Sequence, residues 1–263
     1  MRKSGLNILH VGSSSLVQSS SNVILIQNDG LNILVDSGNR NCREAVLHAL
    51  HNLQLSPDDI DIIINTHLHL DHCANNHVFP NAKVLVHKNE LDWITRTISC
   101  IRRANDMREK EMIIVQDLIF ARSGGVTRKV FKEIHEAISD NSFEKCISSD
   151  HFEIVEHGIR MNEHIQLIET PGHTPGHISV IYSIDKSAKV IIAGDALAYR
   201  NLYRKKITRL PFTYNMTQYI ESKAALEKMK GLIVPGHGAS FVVKKEWKAR
   251  MHESLTRRCA TPY

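Results

Sequence analysis

The sequence of 263 residues predicts an α/β fold, a four-layer αββα sandwich in which two sheets lie between outer helices. Two observations lead to this prediction. Apolar stretches of strand length alternate with helical patterns in the first half of the chain, and the same alternation returns in the second half. Long helical patterns fill the stretch from about residue 90 to about residue 150. We treat residues 1–263 as a single domain that contains this stretch as a helical insertion.

The first half begins with a predicted hairpin. Val23–Ile26 and Asn32–Val35 are rich in branched aliphatic residues, and the sequence QNDGL between them predicts a turn. The sequence NCREAVLHALHNL then places Val46, Leu50 and Leu53 at helical spacing. After this helix, DIIINT and AKVLVH predict two buried strands.

The second half repeats this pattern after the insertion. HIQLIET, HISVIYSI and AKVIIAG predict three strands, each of which ends shortly before a turn. TQYIESKAALEKM predicts a helix with Gly231 as its C-terminal cap, and LIVPG predicts the last strand. The insertion itself is expected to be a lid, a dimer arm or added core.

The composition argues against several classes of protein. Hydrophobic residues make up 42% and charged residues 23%, as in ordinary globular proteins. No apolar run reaches the roughly 18 to 20 residues of a membrane span, and the apolar segment near the start is too short for a secretory signal. Five cysteines without a CxxC pair predict free thiols. We therefore expect a cytoplasmic protein that does not enter a membrane.

The sequence NTHLHLDHC, directly after Ile62–Ile64, places three histidines and an aspartate within six positions. Packing alone does not explain such crowding, because each buried ring nitrogen needs a partner. A bound metal ion would provide one. Cys73 at the end of this run is either a further ligand or, as we favour, a small residue that packs behind the site.

Four predicted strand ends carry side chains that bind metals. They are His67, His69, Asp71 and His72 after IIIN, His173 in ETPGHTPGH, Asp195 in IIAGDA, and His237 in IVPGHG. Imidazoles and carboxylates suit divalent zinc, iron or manganese. In an extended stretch His67 and His69 point the same way and can bind one ion, whereas the turn at Asp71 and His72 directs the next pair toward a second. The glycines beside these donors let the backbone bend and aim them inward.

These motifs resemble the metallo-β-lactamase superfamily. HxHxDH is present at residues 67–72, and TPGHTPG, AGD and PGHG follow in the family's order, over roughly residues 22–240 apart from the insertion. The resemblance implies the αββα metallo-β-lactamase fold and a dinuclear site. It implies that His67, His69 and His173 bind one metal ion, that Asp71, His72 and His237 bind the other, and that Asp195 bridges them. It also implies that His177 supports the site from behind and that Asp36 steadies the loops.

A site of this kind predicts a metal-dependent hydrolase. Two divalent ions, Zn²⁺ or alternatively Mn²⁺ or Fe²⁺, would generate a bridging hydroxide and polarise the substrate oxygen. Asp71, which would orient the hydroxide, and Asp195 are the candidate catalytic residues. The expected substrate is a small ester, lactone or thioester with a negatively charged group. True β-lactamases lack the bridging aspartate, so antibiotic hydrolysis is disfavoured.

A cationic stretch follows Asp195 and suggests where the substrate binds. It consists of Arg200, Arg204, Lys205, Lys206 and Arg209. This stretch would attract a carboxylate, a phosphate or a coenzyme-like tail, unless it is a solvated loop or a subunit contact. Tyr199, Tyr203 and Arg204 are candidate substrate-binding residues. A tyrosine just past the bridging aspartate contacts substrate in lactonases, although the spacing here departs from that pattern.

Three alternatives remain open from the sequence. An RNA nuclease or phosphodiesterase of the same fold is less favoured, because the chain is short and has no aromatic-rich basic surface for stacking bases. An iron-dependent redox enzyme such as a persulfide dioxygenase needs fewer ligands than this chain offers. A binding module that has lost its chemistry is disfavoured because every expected ligand is present. A small molecule is the expected partner, and a helical arm makes a homodimer reasonable.

Overall fold

The computed structural model describes residues 5–15, 18–118, 128–140, 145, 152–185, 188–208, 210 and 212–243. Two main sheets account for most of the strands in this part of the chain. The first has the order β1 (Gly5–His10), β4 (Val23–Asn28), β5 (Leu31–Val35), β6 (Ile62–Ile64), β7 (Lys83–His87) and β8 (Phe152–Val155). The second has the order β13 (Phe241–Val243), β12 (Gly231–His237), β11 (Lys189–Tyr199), β10 (Ile178–Ser183) and β9 (Ile165–Glu169). Two short strands, β2 (Ser14–Ser15) and β3 (Gln18–Ser19), pair with each other.

Antiparallel and parallel pairs are combined in both sheets. In the first sheet β1, β4 and β5 pair antiparallel, and β5 to β8 pair parallel. The predicted hairpin is present between β4 and β5, where Asp29 and Gly30 have φ angles of 50° and 80°. Positive φ at both central residues is the type I′ geometry that matches the twist of paired strands.

The helices are α1 (Arg43–Asn52), α2 (Leu70–Cys73), α3 (Lys88–Arg103), α4 (Met107–Ile113), α5 (Arg128–Ser139) and α6 (Met216–Glu227). A π-helical turn, Ile114–Leu118, continues α4. Short 3₁₀ turns occur at Arg40–Cys42, Pro57–Asp59, Asn76–Val78 and Arg200–Leu202. Among the described residues, every helix is too short or too polar to cross a bilayer.

The two sheets pack face to face. Ile26 and Val35 of the first sheet share an apolar cluster with Val180 and Ile192 of the second, and all four are buried. Removing this apolar surface from water is the main favourable contribution to the association of the sheets. The inner two layers of the predicted sandwich are therefore present.

Helices cover the outer faces. Val46 and Leu50 of α1 pack with Ile63 on the outer side of the first sheet. Leu226 of α6 packs with Ile191 on the outer side of the second. Together with the two sheets, these helices form the four-layer αββα architecture, which confirms the predicted fold.

The first helix of the predicted insertion belongs to the outer layer. Ile94 and Ile98 of α3 pack with Val86 of β7, with Leu68 in the loop after β6, and with Ile138 of α5. This part of the insertion is added core, as one of the three expectations proposed. The break SGGVT and residues 141–144 and 146–151 lie outside the described residues, so the limits of the insertion stay a prediction.

The prediction for Gly231 was wrong. The last helix, α6, ends at Glu227 with Lys228 as its cap, and Gly231 opens β12 instead. A Cβ at Gly231 would lie 2.2 Å from the carbonyl oxygen of Lys189 in the neighbouring strand. Glycine is needed here because two strands approach closely, not because a helix ends.

The pairing of β11 with β12 contains a bulge. Gly194 lies opposite Pro235, and the next pair is Tyr199 with His237. The four residues between Gly194 and Tyr199 therefore oppose a single residue of β12. This bulge contains Asp195 and carries the chain from the sheet to the cationic stretch.

Candidate metal centre

The first sheet supplies four donors from one contiguous stretch. His67 and His69 lie in the extended loop after β6, and Asp71 and His72 lie in the short helix α2 that follows. The ring atoms His67 Nε2 and His69 Nδ1 are 3.0 Å apart. The alternating spacing does bring these two rings together on one side of the chain, as expected for an extended segment.

The second sheet supplies three donors from three different strands. His173 follows β9, Asp195 lies in β11, and His237 ends β12. All three side chains are buried, with relative exposures of 4%, 6% and 3%. Neither of the two histidines points outward, and both reach the donors of the first sheet.

We call His67, His69 and His173 the three-histidine group. One nitrogen from each ring lies within 4.8 Å of the other two, and His173 Nε2 is 3.0 Å from His69 Nδ1. A tetrahedral zinc ion with Zn–N bonds of about 2.0 to 2.1 Å separates its nitrogen ligands by about 3.3 to 3.4 Å. The nitrogens are thus close to the spacing that a single ion requires.

We call Asp71, His72 and His237 the mixed group. Its three donor atoms also lie within 4.8 Å of one another, with 3.8 Å between His237 Nε2 and Asp71 Oδ2. The side chain of Asp71 is 23% exposed, whereas that of His237 is 2% exposed. Asp71 is therefore the member of this group that solvent reaches most easily.

Asp195 lies between the two groups. Its Oδ2 is 3.3 Å from His173 Nε2. Its Oδ1 is 3.3 Å from His237 Nε2 and 3.5 Å from His72 Nε2. One carboxylate oxygen thus faces each group, which is the arrangement that a bridging ligand needs.

The carboxylates of the cluster are ionised. Burial by itself raises the pKa of Asp195, but His237, His173 and His72 outweigh it and hold that pKa well below its ordinary value. Burial acts in the same direction on Asp71, where His72 and His237 again lower the pKa. Both residues are therefore negatively charged oxygen donors at neutral pH.

The histidines differ in charge. Burial and neighbouring rings lower the pKa of His67 and His173 well below 6.5, so both are neutral and offer a lone pair. Burial opposes charge on His72 as well, but Asp36, Asp195 and Asp71 prevail and raise its pKa well above 6.5. His72 therefore carries a proton until a cation replaces it, because metal ligands must be deprotonated.

The mixed group is held by hydrogen bonds on its outer side. His72 Nδ1 lies 2.7 Å from Asp36 Oδ2, and His237 Nδ1 lies 2.8 Å from the Ser20 carbonyl oxygen. Asp36 also accepts the N–H and hydroxyl of Thr66, both at 2.8 Å. Such bonds fix the ring orientation and direct Nε2 toward the cluster. The supporting position of Asp36 agrees with what the family resemblance implied.

His177 lies behind Asp195 and not among the donors. Its Nε2 accepts the backbone N–H of Asp195 at 2.9 Å, and its Nδ1 lies 2.8 Å from the Thr170 hydroxyl. Burial lowers the pKa of His177 to about 3, so the ring is neutral and its Nε2 stays an acceptor. The ring therefore holds the backbone from which the Asp195 carboxylate projects.

Buried donor atoms without partners fit a metal ion. His72 Nε2 and Asp195 Oδ1 are buried, and neither has a hydrogen-bond partner within the described part of the chain. Such atoms are rare in folded proteins because burying them unpaired is costly. A divalent cation bound between them would satisfy both, and imidazole nitrogen with carboxylate oxygen is a donor set that zinc, iron and manganese accept.

Close contacts require glycine at two positions near Asp195. A Cβ at Gly236 would lie 1.8 Å from Asp195 Oδ1, so this position is glycine because the carboxylate occupies the space. Gly194 has a φ of 53°, and a Cβ there would lie 2.7 Å from His177 Nε2. Both glycines were expected to let the backbone bend, but at Gly236 glycine is needed because the Asp195 carboxylate occupies the space of a side chain.

The candidate substrate residues do not lie together. The ring of Tyr199 stacks on the His237 ring with centroids 5.3 Å apart. Tyr203 packs instead against Phe241 of β13, and the guanidinium of Arg204 lies over the Tyr203 ring. Tyr199 is thus at the donor cluster, whereas Tyr203 and Arg204 are fixed beside the edge of the second sheet.

The cationic stretch is tied to α6. The backbone N–H of Arg204 donates to the Glu227 carboxylate, and Lys223 Nζ donates to the Lys205 carbonyl oxygen at 3.1 Å. Lys223 also forms a 2.5 Å ion pair with Glu227. Arg209 lies outside the described residues. The backbone of this stretch is therefore fixed close to the end of the bulge in β11.

Cys73 belongs to an apolar environment. It is buried in the cluster that includes Leu68, Val86 and Ile94. The groups of potential metal donors among the described residues do not include it. Its position fits a small packing residue, the alternative that sequence analysis favoured.

Two residues of α3 that contact the site, Glu90 and Trp93, were not predicted from the sequence. The carboxylate of Glu90 accepts the backbone N–H groups of Leu68 and Gly176, at 2.9 and 3.0 Å. The ring of Trp93 meets the ring of His69 edge-on, with centroids 6.0 Å apart. An acidic residue in the first turn of a helix is ordinarily interpreted as a partner of the helix dipole, so no sequence pattern indicates the hydrogen bonds of Glu90 to the two loops.

The αββα sandwich with its buried histidine and aspartate donors, together with relatives named as metallo-hydrolases, places the chain in the class of metal-dependent hydrolases. Residues 16–237 match the family model described as the metallo-beta-lactamase superfamily, and the chain belongs to that superfamily.

Known proteins resemble the chain at low identity. It is 28% identical over 207 residues to the "probable metallo-hydrolase" of Methanocaldococcus jannaschii, covering 78% of this chain and 70% of that protein. It is 22% identical over 197 residues to an N-acyl homoserine lactonase of Bacillus thuringiensis, covering 74% of this chain and 62% of the lactonase, which is less than two thirds. The solved structure of AidC, a dizinc quorum-quenching lactonase, superposes with a TM-score of 0.60 at 20% identity, covering 86% of this chain and 76% of AidC. The structural likeness confirms the fold.

Proposed function

We propose that the protein hydrolyses a small ester, lactone or thioester with a negatively charged group, at a site that binds two divalent metal ions. We propose Zn²⁺ for both ions, with Mn²⁺ or Fe²⁺ as alternatives that the same donors accept. The cytoplasm as its location and a homodimer as its assembly remain parts of this proposal that rest on the sequence alone.

The observation that carries the proposal is the position of Asp195. Its two carboxylate oxygens face different donor groups, Oδ2 toward His173 and Oδ1 toward His72 and His237. A site for one ion would need only one of these groups. The presence of a second complete group, with a shared carboxylate between them, supports two ions close together.

When bound, two divalent ions lower the pKa of water and polarise the oxygen of a carbonyl group. The chain's own residues supply the rest of the chemistry. Asp71 is ionised and partly exposed, so it accepts a hydrogen bond from the attacking water and orients it. In the overall reaction, the water oxygen bonds to the acyl carbon, the acyl–oxygen or acyl–sulfur bond breaks, and a proton goes to the leaving atom.

The residues around the cluster favour a small substrate. Tyr199 stacks on His237 and so lies within reach of a molecule bound at the mixed group. The cationic stretch begins with Arg200 directly after this tyrosine, and its charge suits a substrate carboxylate or phosphate. The Bacillus thuringiensis relative and AidC both carry the name lactonase, which supports a cyclic ester as the first compound to test.

Metal analysis together with a substrate screen tests the proposal. Purified protein should contain about two divalent ions per chain, and the metal-free protein should lose hydrolysis and regain it on addition of Zn²⁺. The screen compares lactones, linear esters and thioesters with phosphodiesters and short RNAs, at two salt concentrations. Preferred cleavage of phosphodiesters or RNA, weakened by salt, would replace our proposal with the nuclease alternative.

Variants separate the substrate residues from one another. Replacing Tyr199 by Phe should raise KM or lower kcat through the lost hydroxyl, because its ring position at His237 is kept. Replacing Tyr203 by Phe removes a hydroxyl that is buried and unpaired within the described part of the chain, so it should leave turnover close to normal. A larger effect at Tyr203 than at Tyr199 would contradict this placement of the substrate.

A further inference from the structure

The carboxylate of Glu90 joins two loops that both carry donors. It is wholly buried in the first turn of α3. One oxygen accepts the N–H of Leu68, which lies between His67 and His69, and the other accepts the N–H of Gly176, three residues after His173. The two loops of the three-histidine group are thus attached to the same side chain.

The contact with the second loop is very close. A Cβ at Gly176 would lie 2.3 Å from the backbone nitrogen of Glu90 and 2.8 Å from its Cβ. No side chain fits between the loop and the helix without displacing one of them. The position of α3 therefore determines how near the loop of His173 comes to the loop of His69.

Helix α3 contacts the same group one turn further on. The edge of the Trp93 ring meets the His69 ring, and the indole N–H of Trp93 donates to the Asp117 carbonyl oxygen at 3.0 Å. Asp117 lies in the π-helical turn after α4. The insertion thus contacts the three-histidine group through two residues of α3, Glu90 and Trp93.

The mixed group is supported by other residues. His72 is held by Asp36, and His237 is held by the Ser20 carbonyl group. Asp36 and Ser20 belong to the first part of the chain, before α1. The hydrogen bonds of Glu90 run to Leu68 and Gly176, not to these residues.

We propose that Glu90 is a positioning residue that sets the donor geometry of the three-histidine group and leaves the mixed group unaffected. This inference rests on the proposed function, because it assumes that the two groups bind separate ions. Mutating a residue that orients a metal ligand typically weakens metal binding 10-fold to 100-fold. Here only the affinity of the three-histidine group for its ion should fall.

The test measures metal affinity with one group disabled at a time. The His237→Ala variant keeps the three-histidine group, and the His69→Ala variant keeps the mixed group. Adding Glu90→Gln to the first background should raise the Kd for Zn²⁺ about 10-fold to 100-fold, as expected for a lost supporting bond. Adding Glu90→Gln to the His69→Ala background should change the Kd for Zn²⁺ less than about threefold. Glu111→Gln, an exposed substitution in α4 of the same insertion, is the matched control and should change neither.

Spectra and melting curves give readouts besides affinity. The visible spectrum of bound Co²⁺ should change with Glu90→Gln in the His237→Ala background and stay the same in the other. Melting of the metal-free variants checks that each is folded. If Glu90→Gln does not fold, Gly176→Ala is used instead. The added methyl group displaces the loop of His173 from α3, so Gly176→Ala should lower the metal affinity of the three-histidine group.

The outcomes distinguish this inference from the proposed function. Equal losses of affinity in both backgrounds, or no loss in either, would overturn the positioning role of Glu90 while the dinuclear site stands. Failure of the unaltered protein to bind divalent ions would overturn the proposed function itself. A lower melting temperature with unchanged Kd values would assign Glu90 to the stability of α3 alone.

Discussion

The two sheets contribute to the candidate site in different ways. The first sheet supplies its donors from one loop and one short helix, within residues 67–72. The second supplies His173 from the loop after β9, Asp195 from β11 and His237 from β12, so these donors meet only when the strands pair in the correct register. A contiguous set depends on local backbone geometry, and a distributed set depends on the packing of the whole sheet.

The largest effect on activity is expected from a substitution at Asp195, because this residue contacts both the contiguous and the distributed donors. Asp195→Asn removes the negative charge between the two groups while keeping the volume of the side chain. We expect loss of one bound ion per chain and hydrolysis close to the uncatalysed rate, because both groups share this carboxylate. Metal content and initial rates check this prediction. Full activity of the variant would show that the two groups work without a shared carboxylate.

The next largest effect is expected from a substitution that crowds Asp195, a member of the distributed set, without changing any donor. Gly236→Ala would place a methyl group 1.8 Å from Asp195 Oδ1, so the carboxylate must move. Overpacking of this kind costs about 1 to 3 kcal/mol of stability. We expect a lower melting temperature and weaker metal binding together. Gly30→Ala, at a position where a Cβ meets no atom within 4 Å, provides the comparison in which only backbone strain acts, and it should keep metal binding.

A smaller effect on metal binding is expected from replacing Asp36, which supports His72 of the contiguous set. Asp36→Asn removes the charge that faces His72 Nδ1 but leaves the four donors of residues 67–72 in place. We expect about a 10-fold to 100-fold loss of affinity at the mixed group. Zinc titration of the variant measures it. Equal weakening at the three-histidine group, which the His237→Ala background isolates, would mean that Asp36 positions the whole loop through Thr66.

The smallest effect on catalysis is expected from the titration of Glu90, which instead makes the free energy of unfolding depend on pH. Burial raises the pKa of Glu90 from 4.5 to about 7. The folded metal-free protein therefore keeps a proton that the unfolded chain has lost between these values. The contribution of protonated Glu90 to stability is fully present below pH 4.5 and is lost as the pH rises through about 7. The difference in unfolding free energy between the unaltered protein and Glu90→Gln should shrink by about 3 kcal/mol from pH 4 to pH 8.

Denaturant unfolding of both metal-free proteins across that pH range measures the difference. Taking the difference cancels the titration of the histidines, which both proteins share. A constant difference would mean that folding does not shift the pKa of the Glu90 carboxyl group.

Local patterns predicted the contiguous set and the hairpin well. Asp29 and Gly30 predict their own turn, and the alternation at His67 and His69 predicts which way the rings point. The strands β1, β8 and β13 were not predicted. In β8 two of the four residues are exposed, so periodicity gives no signal, and the strand is defined by its pairing with β7.

The contacts of Glu90 and the cap at Gly231 show the limit of sequence patterns. Both depend on which segments meet in space: Glu90 on the two loops of the three-histidine group, and Gly231 on the neighbouring strand β11. A glycine after a helix suggests a cap, which was wrong for Gly231, and an acid at a helix start suggests a partner of the helix dipole, which does not reveal the contacts of Glu90. Motif order indicated that distant donors converge, but only packing reveals what holds them.

The bulge in β11 has a consequence for Tyr199. Asp195 is the first residue of the bulge and Tyr199 directly follows it, and Tyr199 pairs with His237. Adding or deleting one residue within the bulge would turn the tyrosine to the opposite face of the strand, because side chains alternate along β structure. A change in loop length at this bulge would therefore turn Tyr199 away from His237 without changing any of the seven candidate metal-binding side chains.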